Sequence, residues 1–121
     1  MHALIASLRL VILLVLLLGG LKLYTDARVL RAEDRYPPTG QFVDAGDARL
    51  HYVAKGSGRA VVLIHGDGGS TQDWTHSVFD RIAERHHAVA FDRPGLGYSD
   101  RPDAAGSPFA QARLIHRALE T

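Results

Sequence analysis

Between Ala3 and Tyr24 the only charged residues are Arg9 and Lys22, and Leu10 to Leu18 reads LVILLVLLL, nine apolar residues in a row. A helix rising ~1.5 Å per residue over this stretch covers roughly the ~30 Å hydrocarbon core of a bilayer. Residues 1–24 therefore read as a retained single-pass membrane anchor. Arg9 lies near one end, where its aliphatic stem can carry the guanidinium back to the headgroups at modest cost. A cleaved signal peptide is the competing reading: Met1 to Arg9 as the basic region, Leu10 to Leu21 as the apolar region, and Thr25-Asp26-Ala27 as a weak small-x-small cleavage site that Lys22 disturbs. A buried helix of a soluble protein is the third. The side of the membrane is open. Lys22, Arg28, Arg31 and Arg35 after the span favour a cytoplasmic C-terminal part, whereas a signal-like N-terminus favours the reverse.

About a hundred residues remain for a folded unit, and composition narrows what they do. Fourteen Lys+Arg stand against thirteen Asp+Glu, a net charge of +1. That leaves no positive field for a phosphate backbone, so no nucleic-acid partner is expected. The absence of cysteine removes disulfides, thiolate nucleophiles and cysteine zinc sites. The seven histidines form no H-E-x-x-H and no pair at i, i+4, so no metal is expected; His86 and His87 read as a helix end, and His116 falls in a helix.

Residues 25–40 read as a linker. Thr25 to Arg35 is able to prolong the first helix, and Tyr36-Pro37-Pro38-Thr39-Gly40 must end it, because proline lacks the amide donor and restricts its neighbour. From residue 41 the pattern changes. Gln41 to Asp44 and Arg49 to Lys55 alternate apolar and polar about Ala45-Gly46-Asp47-Ala48, predicting a hairpin of edge strands. Ala60 to Ile64 (AVVLI) and Ala88 to Phe91 are continuously apolar, the pattern of buried parallel strands. Between them Thr71 to Arg85 places Trp74, Val78, Phe79, Ile82 and Ala83 at helical spacing, with Ser70 or Thr71 as cap, giving a βαβ unit. Pro108 to Leu119 predicts a further helix.

Chemistry is expected where the two buried strands end, since turn amides and helix starts converge there in a parallel sheet. The first ends in His65-Gly66-Asp67-Gly68-Gly69-Ser70, whose glycines permit a sharp turn with exposed amides, as a developing oxyanion requires. The second ends in Asp92-Arg93-Pro94-Gly95-Leu96-Gly97-Tyr98-Ser99. In this order, with His65 and Asp92 about 27 residues apart and Trp74 between them, these features resemble the N-terminal part of the α/β-hydrolase fold family, over about Thr39 to Thr121. The resemblance implies an α/β fold: a partial α/β-hydrolase fold with an edge β-hairpin, a βαβ unit and a following helix, preceded by a transmembrane helix. It makes residues 41–121 the front part of a hydrolase domain. It further implies that the Asp67 amide, with Gly68 beside it, forms part of an oxyanion hole. His65, Gly66, Gly69, Asp92, Arg93, Gly95, Gly97 and Ser99 are then motif residues of the two loops. The substrate implied is a small ester-like molecule, with water as co-substrate and no cofactor, and membrane lipid is contacted through the first helix.

No serine meets the family's G-x-S-x-G elbow. Ser7 lies in the span, Ser57 and Ser77 lack glycine two residues before, and Ser107 follows Ala105. Ser70 and Ser99 have the first glycine, but Gln72 and Arg101 stand where the second belongs. No catalytic residue is therefore assigned within the chain, which is expected to be inactive as the front portion of a longer enzyme. Plainer roles are assigned beside the functional ones: core packing for Trp74 ahead of substrate contact, a loop-holding carboxylate for Asp92, a surface acid partner for Arg93, and a local turn bond for Asp67. Two other classes compete. Gly66-x-Gly68 with Asp92 after the next strand partly mimics a dinucleotide fingerprint, though Thr71 replaces its third glycine. A non-catalytic membrane-anchored binding protein would leave a sheet edge unpaired and much apolar helix surface exposed.

Overall fold

The computed structural model describes the backbone of residues 1–121 and every side chain except those of His2, Ala3 and Ala104. The chain divides into two compact units, Met1–Pro37 and Pro38–Thr121.

The first unit is one helix, α1 (His2–Arg35), carried past the apolar run by the Ala-, Leu- and Arg-rich segment after Tyr24. It stops at Tyr36, whose amide still donates to Ala32 O at 2.8 Å, because Pro37 and Pro38 have no amide to extend the ladder. By length and composition the stretch Leu4–Arg35 suffices to cross a membrane, and its apolar side chains are exposed.

The second unit is built on a four-stranded mixed sheet of β1 (Gln41–Asp44), β2 (Arg49–Lys55), β3 (Ala60–Ile64) and β4 (His87–Phe91), in the order β1-β2-β4-β3. β1 pairs antiparallel with β2, β2 antiparallel with β4, and β3 parallel with β4. The hairpin turns through Gly46 at φ 96, a left-handed conformation that side chains disfavour, and Asp44 Oδ1 accepts its amide at 2.8 Å.

Side chains of β4 alternate between two cores, as strand geometry demands. Val89 and Phe91 join Leu50 and the Leu114, Ile115 and Ala118 face of α4 (Pro108–Leu119). Ala88 and Ala90 turn to the opposite face, against Phe79, with Val53, Leu63, Trp74 and Ile82 packed around them. α4 starts at a Ser107 cap whose Oγ accepts the Ala110 amide at 3.2 Å, with proline at its first position.

Four expectations change. The hairpin is not a pair of edge strands: β2 is interior because it pairs with β4 as well as β1. β3, expected to be fully buried, is an outer strand with Ala60 and Ile64 exposed and Val61 to Leu63 half-buried. The continuous helix expected over 71–85 is two short ones, α2 (Gln72–Thr75) and α3 (Phe79–Ala83). The helical spacing survives the break, so Trp74, Phe79, Ile82 and Ala83 still reach one core. His87 opens β4 instead of ending a helix; pairing with Ala60 recruits it to the sheet.

Candidate functional site

Both glycine-rich loops leave the C-terminal ends of adjacent parallel strands, β3 and β4, which brings them side by side. They behave oppositely. The loop after β4 is closed upon itself. Leu96 N donates to Arg93 O at 2.8 Å, Ser99 N to Leu96 O at 3.1 Å, Gly95 N to Asp100 O at 2.9 Å, and Arg101 Nη2 to Gly95 O at 2.8 Å.

Asp92 is the centre of this closure. Its side chain is 0% exposed, and its Oδ1 accepts the Thr71 amide at 2.7 Å. Oδ2 accepts the Tyr98 amide at 3.0 Å and His51 Nδ1 at 2.7 Å. Three N–H donors thus surround a buried carboxylate, which is how such a charge is tolerated away from water. Gly97, at φ 53, lies against the carboxyl, where a Cβ would collide with it. The carboxylate ties together β2, the segment after the β3 turn and the 93–99 loop. Fully buried and turned to these internal donors, it presents no oxygen to a ribose, which removes the physical basis of the dinucleotide reading.

His51 is the functional neighbour that sequence reasoning missed. It is 1% exposed, and its Nε2 accepts the Gly40 amide at 3.2 Å. That bond assigns the proton to Nδ1, which donates to Asp92. Ser99 sits with the pair: its Oγ accepts the His51 amide at 2.9 Å and donates to Asp92 O at 2.7 Å. A serine, a histidine and an aspartate therefore meet here with the wrong wiring for nucleophilic attack. The imidazole does not face the hydroxyl, and the hydroxyl proton is committed to a backbone oxygen.

His65 performs the equivalent service for the loop after β3. It is 3% exposed; its Nε2 accepts the Arg93 amide at 3.0 Å and its Nδ1 donates to Gly66 O at 2.8 Å. The loop beyond it is open. Gly66, Asp67 and Gly68 are exposed, Gly68 adopts φ 69, and no hydrogen bond among the described residues takes the Asp67 or Gly68 amide. Gly69 packs close to His65 and the Asp73 carboxylate. The Asp67 loop borders an open hollow of ≈ 450 Å³, also lined by Arg93, Leu96, Arg101 and Gln111.

Arg93 departs from expectation. Its Nε and Nη2 both donate to Gln111 Oε1, at 3.0 and 2.8 Å, and not to a surface acid. Gln111 Nε2 in turn donates to Ala105 O at 3.0 Å, so the guanidinium braces α4 against the loop. Trp74 is half-buried against the Phe79 cluster. Among the described residues no cluster of three or more metal-ligating side chains occurs.

The family model for the alpha/beta hydrolase fold matches residues 59–121. The chain belongs to the α/β-hydrolase fold family. Among curated relatives, it is 42% identical over 82 residues to the dihydrolipoyllysine-residue acetyltransferase component of the acetoin cleaving system of Cupriavidus necator, covering 66% of this chain and 21% of that protein. It is 43% identical over 54 residues to a soluble epoxide hydrolase of Corynebacterium sp., covering 45% of this chain and 18% of the relative. The solved structure of the epoxide hydrolase CorEH superposes with a TM-score of 0.64 at 30% identity, over 68% of this chain and 29% of that one. The chain thus spans about a fifth of the length of these two curated relatives. Within the α/β-hydrolase match lie both loops, while His51 and the hairpin precede it.

Proposed function

We propose that the complete protein is a membrane-anchored α/β-hydrolase that cleaves an ester or related acyl bond with water as co-substrate and no cofactor. Residues 1–24 serve as its anchor, 25–40 as a spacer, and 41–121 as the front part of the catalytic domain. The observation that carries this reading is the pair of free amides at Asp67 and Gly68, presented at the end of β3 and backed by the bonded scaffold of His65 and Asp92. Fixed N–H donors of this kind stabilise negative charge developing on a carbonyl oxygen without reorganising, and one such donor is worth about 10²–10³ in kcat. The nucleophile is assigned to a strand pairing with the outer edge of β3, which has β4 as its only neighbour among the described residues. An elbow there stands beside the Asp67 loop. The ≈ 450 Å³ hollow next to Asp67 suits a small substrate.

A carboxylate nucleophile acting on an epoxide is the second reading, favoured by the relatives named as epoxide hydrolases. Expression of the entire reading frame in membranes separates the two. Hydrolysis of p-nitrophenyl butyrate, blocked by a fluorophosphonate probe, is the expected result. Epoxide opening without probe labelling selects the carboxylate instead, and activity on neither class contradicts both. Ester turnover by the 121-residue chain that Ser99→Ala abolishes also contradicts the proposal, because Ser99 is assigned here only to the loop.

A further inference from the structure

The helix does not end with its apolar run: eleven further residues, 25–35, extend α1 by ~16 Å at ~1.5 Å per residue. At ~100° per residue, Tyr24, Arg28, Arg31 and Arg35 fall within an arc of roughly 60°, a single stripe along the helix. Lys22, Asp26 and Glu33 lie on the opposite face, where Lys22 Nζ and Asp26 Oδ2 pair at 2.7 Å. The charges are thus sorted by face. The acids Asp26 and Glu33 point away from the stripe, and no salt bridge engages any of its three arginines among the described residues. Arg28 instead sits 6.0 Å from the centre of the Tyr24 ring. A surface hollow of ≈ 640 Å³ is lined by Arg28, Arg31, Ala32, Asp34, Arg35 and Tyr36, so one acid, Asp34, borders the basic groups.

We infer that this stripe binds the phosphate groups of anionic phospholipids, the occupant being the headgroup layer of the bilayer that α1 enters. The inference rests on the reading of α1 as a membrane span. Planar guanidinium groups match phosphate oxygens bidentately, and a tyrosine at the start of the stripe sits at the depth where aromatic rings favour the interface. Charge complementarity selects the partner: basic groups just beyond a span are attracted to anionic lipid, each by up to about fivefold in local enrichment. A wholly zwitterionic surface supplies no such preference.

The full 121-residue chain has no cysteine, so Ala32→Cys gives a unique labelling site beside the stripe. The labelled chain is placed in vesicles of phosphatidylcholine with 30 mol % phosphatidylglycerol, and quenching is compared between brominated phosphatidylglycerol and brominated phosphatidylcholine at equal amounts. Quenching by the anionic lipid at least about twofold stronger is expected. Raising salt from 50 to 500 mM should reduce that preference, and Arg28→Gln/Arg31→Gln/Arg35→Gln should abolish it, while Lys22→Gln on the opposite face leaves it in place. Equal quenching by the two lipids, in a chain retained through alkaline carbonate extraction, overturns the lipid inference alone. Loss of the chain from the vesicles during extraction overturns the spanning reading and this inference with it. Preference that survives the triple substitution assigns the effect to other residues and overturns the role of the stripe.

Discussion

The loop after β3 and the loop after β4 have similar glycine content and leave neighbouring strands, yet one closes on itself and the other faces outward. In the second, Asp92 accepts three N–H donors and the backbone bonds internally through Arg93, Leu96 and Ser99. In the first, His65 is pinned through the Arg93 amide and Gly66 O, Ser70 accepts the Gln72 and Asp73 amides, and the Asp67 and Gly68 amides between them are unclaimed among the described residues. The difference teaches that glycine marks a sharp turn but not its purpose. A loop closed by internal hydrogen bonds supports a neighbour whose Asp67 and Gly68 amides stay free, and preorganised donors of this kind are what transition-state stabilisation needs.

The comparison breaks most severely at Asp92. Asp92→Ala leaves two buried donors and one part-buried donor without an acceptor and should cost about 3–5 kcal/mol in urea unfolding followed by Trp74 fluorescence. Equal stability to wild type would show that the second loop does not depend on its carboxylate. Gly97→Ala should follow at about 2–3 kcal/mol, since it adds a left-handed conformational cost to a collision with the Asp92 carboxyl. His65→Phe keeps a flat ring but leaves the Arg93 amide unpaired, for about 1–3 kcal/mol, and should speed amide hydrogen exchange at Arg93. The smallest effect belongs to the open loop: Asp67→Ala should change stability by less than about 0.5 kcal/mol, because the exposed side chain has no hydrogen-bond partner among the described residues and the backbone amide remains.

Much of this contrast was legible in the sequence, for identifiable reasons. Continuous apolar runs marked β3 and β4, and proline after serine marked the start of α4. Asp92 was legible as a carboxylate holding its loop because aspartate before a proline-glycine turn usually bonds local amides. Its reach to Thr71 and His51 was not, since contacts between residues 21 and 41 positions apart leave no local pattern. His51 sits in an alternating strand as an ordinary polar residue, and only folding reveals that it is buried at 1% exposure. Strand order was equally hidden. Apolar content made β3 look fully buried, whereas among the described residues it pairs with β4 alone and is half-buried at Val61 to Leu63. The Arg93 partner was missed for the same reason: α4 brings Gln111 within reach, and nothing near Arg93 in sequence announces it.

The central claim is that the backbone N–H of Asp67, and not its side chain, serves the chemistry. It is tested most directly by steady-state kinetics of the complete enzyme carrying Asp67→Pro, which deletes that single donor, against Asp67→Ala, which keeps it. The account predicts a fall in kcat of about 10²–10³ for the proline variant with a folded protein, and near-normal kcat for the alanine variant. Equal kcat in the two variants, or a loss in the alanine variant as large as in the proline one, would contradict it.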